Sequence, residues 1–169
     1  MPIKNNIAIL GDGLLGSEIH SQTGWDIISR KKDKFDITDK SSFNKPPFIE
    51  YITDKHAGIL GATSNYNTII NCIAHTDTYS ESKQAHWDVN LQGTKNLVDF
   101  CNEWRIKLIH ISTDYIYSNS IPNASENTPP VHCATWYGYT KLVADALVQL
   151  ESNNHLIVRT THKSKPFPY

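Results

Sequence analysis

Early in the chain the apolar run Asn6-Ile7-Ala8-Ile9-Leu10 passes directly into Gly11-Asp12-Gly13-Leu14-Leu15-Gly16. An uninterrupted apolar run of this kind suits a strand buried on both faces, as in a parallel sheet. After the glycines, Leu15 and Ile19 keep helical spacing. A Gly-x-Gly-x-x-Gly turn between a strand and a helix has a physical rationale. Gly11 permits the tight turn, Gly13 lets backbone approach a pyrophosphate, and Gly16 lets the helix pack close on the strand. The helix N-terminus adds unpaired N–H groups and a partial positive charge. A glycine turn by itself is commonly only a turn; its place after a buried strand favours a dinucleotide. Leu14 and Leu15 join the glycines as candidate cofactor-binding residues.

Strand-like runs recur at 25–29, 35–39, 68–74, 107–111 and 155–159, and helical spacing runs through 84–105 and 137–150. Alternation of this kind predicts an α/β fold: a doubly wound parallel sheet (Rossmann fold) with helices on both faces. Ligands of such sheets bind beyond the carboxyl ends of the strands, near the topological switch point. The segments 11–16, 71–75 and 112–114 all fall at those ends and would converge on one cleft. Following the second expected strand come Arg30, Lys31 and Lys32. An NAD-specific fold usually carries an acidic residue in that neighbourhood, whereas a cation suits the 2′-phosphate of NADP. The reading therefore favours NADP(H) over NAD(H), with a solvated surface charge run as the alternative.

Composition narrows the class. A chain of 169 residues, 39% hydrophobic, can close one core. A formal net charge of −1 lacks the basic excess of a nucleic-acid or membrane-surface binder. No apolar run reaches the length of a membrane span, and the first residues lack the layout of a signal peptide. Cys72, Cys101 and Cys133 show no CxxC spacing and read as free thiols, so a cytoplasmic location is expected. None of the histidines pairs at HxxxH spacing or joins a cysteine cluster, and no metal site is expected.

Tyr137 and Lys141 share one face of the expected 137–150 helix, one turn apart. Tyrosine titrates near 10, and a nearby ammonium favours the phenolate. Lowering that pKa by ~2–3 units takes roughly 3–4 kcal/mol, within reach of one close cation in a partly dry site. The pair suits general acid–base chemistry. Thr113, at the end of the 107–111 strand, would bring a hydroxyl to the same cleft. Leu142, Val143, Ala144, Ala146, Leu147, Val148 and Leu150 cover most of the helix circumference. Such a helix is covered on more than one side, by the neighbouring 84–105 helix or by a second subunit.

Further motifs accompany these: Asp36-Ile37-Thr38-Asp39, Asn71-Cys72-Ile73-Ala74-His75-Thr76, Val89-Asn90-x-x-Gly93-Thr94-x-Asn96-Leu97, Ile111-Ser112-Thr113-Asp114-Tyr115-Ile116-Tyr117 and Arg159-Thr160-Thr161. In this order they resemble the extended short-chain dehydrogenase/reductase superfamily, and within it the dTDP-4-dehydrorhamnose reductase branch. The resemblance runs from residue 7 to about 161.

It implies an NAD(P)-binding Rossmann domain over 1–161, with 162–169 a tail where the branch's substrate region would begin. Thr113, Tyr137 and Lys141 would be catalytic. Tyr137 would protonate a carbonyl oxygen as hydride arrives, Thr113 would polarise that carbonyl, and Lys141 would hold the nicotinamide ribose and depress the tyrosine pKa. Asp36 and Ile37 would flank the adenine, and Cys72, Ile73 and Ala74 would line the cofactor. His75 and Thr76, with Thr113 and Tyr137, would meet the substrate. Asn90 falls where the family holds its active-site helix in place. The implied activity is reduction of a keto group on a nucleotide-activated deoxysugar, by a homodimer built through the 84–105 and 137–150 helices. A noncatalytic dinucleotide-binding or regulatory subunit is the alternative, since the substrate region is missing. A nucleotide-sugar epimerase is a further one. A dehydratase ranks lower because no glutamate follows Asp114.

Overall fold

The computed structural model of the protein describes residues 6–46, 48–52, 65–117, 123–128 and 133–161. Five strands, β1 (Ile7–Leu10), β2 (Asp26–Ile28), β3 (Thr68–Asn71), β4 (Lys107–Thr113) and β5 (His155–Thr160), form one sheet in the order β2-β1-β3-β4-β5. Every pairing is parallel, with Ile9 opposite both Ile27 and Ile70, and Ile70 opposite Ile109. The order reverses between β1 and β3, so the cleft lies over their carboxyl ends. The ladder runs on there: Gly11 N–H donates to Ile28 O at 2.8 Å and Cys72 N–H to Leu10 O at 2.9 Å.

The helices are α1 (Leu14–Thr23), α2 (Arg30–Asp33), α3 (Phe48–Ile52), α4 (Lys83–His86), α5 (Thr94–Glu103) and α6 (Trp136–Glu151). Strand alternation assigns the faces. Ala8 and Leu10 enter the main core with Ile28, Ile69, Leu97, Val98 and Leu108. Ile9 points the other way, against α1, where a methyl built on Gly16 would stand 3.4 Å from Ile9 Cγ2. Among the described residues no helix is long and apolar enough to cross a membrane.

Two expectations change. The 84–105 helix is one continuous path from Lys83 to Glu103, but its middle, Trp87–Gly93, is a π-helix. Wide turns of this type are frequent at functional sites. Here the wide turn carries Asn90, 1% exposed. Its Oδ1 accepts from His75 N–H at 2.8 Å, while Nδ2 donates to His75 O at 3.2 Å and to Thr140 Oγ1 on α6 at 3.1 Å.

The strand expected at 35–39 is absent. Asp36 Oδ1 accepts from Thr38 N–H at 3.0 Å and Asp39 Oδ1 from Ser41 N–H at 2.9 Å. Side-chain bonds to backbone two residues on replace a ladder with turns, and a 3₁₀ helix, Lys40–Asn44, follows. The apolar residues of that run serve the core: Phe35 stacks on Phe48 with centroids 4.3 Å apart and meets Phe43 edge-on at 5.0 Å. The 162–169 tail lies outside the described residues.

Gly16 sets how close α1 comes to the sheet, because a Cβ there would lie 1.9 Å from Gly11 O, whereas one on Gly13 meets nothing within 4 Å. Gly16→Ala is expected to lose about 3 kcal/mol of stability as the helix is levered off the strand. Gly13→Ala should cost within about 1 kcal/mol. Urea denaturation of both variants measures the difference; equal midpoints would refute the packing.

Candidate active site

The phosphate turn is built by backbone. Gly11 has φ +100°, a conformation open to glycine, and a Cβ there would press on Ile73 Cγ1 at 3.0 Å. Gly13 caps α1, whose first turn contains no acidic residue. The first N–H groups of α1 therefore have no acidic side chain within their own turn to bond. Leu14 and Leu15 are 70% and 40% exposed beside that turn. At the end of β2, Ser29 caps α2 and Arg30 and Lys31 follow, both exposed. Arg30 already has an anion: its Nη2 pairs with Asp36 Oδ2 at 2.9 Å. Ile37, expected against adenine, instead drives its side chain into the core, 3% exposed, under Gly93. Cys72, Ile73 and Ala74 line the reversal point half-buried, shaped by Asn71 Oδ1 accepting from Ile73 N–H at 3.1 Å.

Thr113 and Tyr137 meet at the carboxyl end of β4. Burial raises the Tyr137 pKa above its ordinary value; the hydrogen bond with the Thr113 hydroxyl pulls it down, and Asp114 pushes it up. Thr113 is 4% exposed at the carboxyl end of β4, and its Oγ1 also accepts from Tyr115 N–H at 3.2 Å. Thr135 caps α6 by accepting from Gly138 N–H at 3.1 Å. Gly138 lets that turn lie on the chain after β4, since a Cβ there would come 3.0 Å from Tyr115 O. Tyr115 and His86 flank the phenol, with ring centroids 5.7 and 6.4 Å away.

Lys141 departs from expectation. It shares the helix with Tyr137 but reaches under the cleft floor: 1% exposed, its Nζ donates to Ile111 O at 2.6 Å and lies 3.2 Å from His110 Nε2. The tyrosine pKa is accordingly raised, not depressed. Burial lowers Lys141 to about 8, partly offset by Asp145 and Cys72. Burial also pushes the Cys72 thiol up to about 11, with Lys141 acting in the opposite direction. Common face, set by sequence spacing, does not fix common direction for a four-carbon side chain.

Of the remaining expected residues, His75 is held by Asn90 through its backbone, and its ring packs on His86 at 4.5 Å between centroids. Thr76 is exposed. Spacing alone did not reveal the buried pair behind Lys141, His110 and Asp145, nor that half-buried Arg159 donates through Nε to Asp145 Oδ2 at 3.0 Å. The available signal was a histidine inside the apolar run of β4 and an aspartate on the apolar side of α6. Among the described residues no cluster of three or more His, Cys, Asp or Glu could hold a metal.

The geometry invites comparison with known proteins. Among curated relatives, the dTDP-4-dehydrorhamnose reductase of Mycobacterium tuberculosis (strain ATCC 25618 / H37Rv) is 29% identical over 157 residues, 88% of this chain and 46% of that protein. The dTDP-4-keto-6-deoxy-D-glucose reductase of Streptomyces niveus is 30% identical over 141 residues, 79% of this chain and 43% of that one. A sterol-4-alpha-carboxylate 3-dehydrogenase (decarboxylating) of Dictyostelium discoideum is 25% identical over 154 residues, covering 85% and 47%. In fold, the chain matches the Bacillus anthracis dTDP-4-dehydrorhamnose reductase solved in complex with NADP, with TM-score 0.75 and 24% identity over 94% of this chain and 54% of that one. The chain thus spans about half the length of the curated relatives it matches. The family model for the RmlD substrate binding domain matches residues 5–162. That span takes in every strand of the sheet, and by it the chain belongs to the RmlD substrate binding domain family.

Proposed function

We propose that the chain is the cofactor-binding and proton-donating part of an NADP(H)-dependent reductase acting on the keto group of a nucleotide-activated deoxysugar. One observation carries this reading: the Thr113 hydroxyl bonds the Tyr137 phenol at the carboxyl end of β4, in the same sheet-end cleft as the open glycine turn. The site suits a dinucleotide, because the space over Gly13 is free and no acid stands in the first turn of α1. The relatives named above include dTDP-sugar reductases, and one structural neighbour holds NADP.

NADPH, when bound, would supply the hydride chemistry at the carbonyl carbon. This chain's residues handle the oxygen. Tyr137, raised above its ordinary pKa, is a protonated phenol at neutral pH. It gives that proton to the oxygen as negative charge develops there, and Thr113 donates a second hydrogen bond to the same oxygen. Lys141 would hold the ribose, its Nζ now resting on Ile111 O, and Arg30 and Lys31 would hold the 2′-phosphate, Arg30 now pairing with Asp36. His75 and Thr76 border the substrate.

The burial of Lys141 favours a second reading, a dinucleotide-binding subunit without turnover. Exposed aromatics on the outer helices, Trp87 at 43%, Trp136 at 38% and Tyr139 at 43%, support a homodimer that covers them.

Absorbance of NADPH mixed with a dTDP-4-keto-6-deoxyhexose decides between the readings. Wild type should oxidise it, and Tyr137→Phe should slow turnover ~10²–10⁴-fold while binding NADPH normally. NADPH bound without turnover would establish the subunit reading. Arg30→Ala should weaken NADPH about tenfold or more and leave NADH unchanged by fluorescence titration; equal loss for both would remove the phosphate role. Gel filtration at micromolar concentration should give a dimer; a clean monomer would remove the homodimer.

A further inference from the structure

We infer that His110 is a positioning residue for Lys141, and that it faces the lysine as a hydrogen-bond donor whose Nε2–H stabilises the neutral amine over the ammonium. The tautomer follows from donor and acceptor accounting. Asn71 is 1% exposed, and its Oδ1 accepts from Ile73 N–H at 3.1 Å. The amide nitrogen Nδ2, which only donates, is therefore the atom 3.4 Å from His110 Nδ1. A neutral imidazole offers one acceptor and one donor. With Nδ1 accepting, the ring proton sits on Nε2.

That nitrogen stands 3.2 Å from Lys141 Nζ. An ammonium would set donor against donor. An amine has a lone pair to accept from Nε2–H, and its own N–H still reaches Ile111 O at 2.6 Å. Asp145, on α6, lies 3.8 Å from His110 Nε2 through Oδ1, which is buried without a hydrogen-bond partner, while its Oδ2 takes Arg159 from β5 at 3.0 Å; Asp145 favours the ammonium and so opposes the histidine and burial. Cys72, in the segment after β3, is kept as a neutral thiol by burial. Tyr137, one turn earlier on α6, is directed to Thr113.

His110 is fully buried, 0% exposed, and burial followed by Lys141 holds it well below its ordinary pKa, so the ring is uncharged at neutral pH. Lys141 is neutral above about 8, where an exposed lysine would be charged. As a statement about a cofactor-binding lysine this rests on the reductase reading. Its consequence there is that above a pH of about 8 the charge of Lys141 becomes available only when Nζ leaves His110.

The test uses the cofactor-free protein, so it can fail or succeed independently of turnover. Long-range ¹H–¹⁵N spectra report the His110 tautomer, and ¹³Cε shifts of labelled lysine, assigned through Lys141→Met, report the lysine midpoint. The expected result is the Nε2–H tautomer and a Lys141 midpoint about 8. His110→Gln, which can turn an amide oxygen to the ammonium, should raise that midpoint by about one unit, a tenfold gain in proton affinity. An Nδ1–H tautomer, an ordinary lysine midpoint in wild type, or an unchanged midpoint in His110→Gln would overturn the proposal. If His110→Gln does not fold, the two wild-type measurements still decide it. Absence of NADPH oxidation would count against the reductase reading alone.

Discussion

One buried amide holds the cleft together. Asn90 sits in the π-helical turn and bonds at once to the backbone after β3 and to Thr140 on α6. Thr140 in turn donates to Trp136 O at 2.8 Å, one turn back along α6. The position of Tyr137 is therefore fixed against the reversal point of the sheet by polar contacts shielded from water. Each such bond contributes about 0.5–1.5 kcal/mol net, but an orphaned buried partner costs about 1–3 kcal/mol. The clamp resists loosening more than its bonds alone would suggest. A regular α-helix keeps consecutive turns tighter; the wide turn gives the amide room to face both neighbours.

Beneath that clamp lies a second buried polar layer of opposite character. His110, Lys141 and Asp145 are each at most 1% exposed. Charge there is costly, and the system responds by neutralising what it can. Lys141 falls to about 8 and His110 well below its usual value. Asp145 Oδ2 accepts from Arg159 Nε at 3.0 Å, and that guanidinium also reaches Tyr117 Oη at 2.6 Å. The phenol above is raised by burial, which suits an acid held ready at neutral pH. The glycine turn stands at the rim of the cleft, with Arg30 beside it paired to Asp36.

Much of this was legible in the chain itself. Periodicity gave the parallel sheet, because buried strands read as short apolar runs and helices as spaced ones. The glycine turn was legible because only backbone with no side chain can make those contacts, as Gly11 and Gly16 show. Thr113 and Tyr137 were legible from motif order. The run 35–39 was not: Phe35 and Ile37 look the same in a strand as in a turn that feeds the core, and the short-range bonds of Asp36 and Asp39 decided for the turn.

Sequence by itself therefore determined the parallel sheet, with five of six strand-like runs forming strands, and where that sheet reverses, since these follow from local pattern and chain order. Only the tertiary structure decided where Lys141 points, that Ile37 belongs to the core, and that His110 and Asn71 stand behind the lysine. Those outcomes depend on which long side chain finds a partner once water has been excluded, and neither spacing nor composition encodes the contacts between β4, α6 and the end of β3.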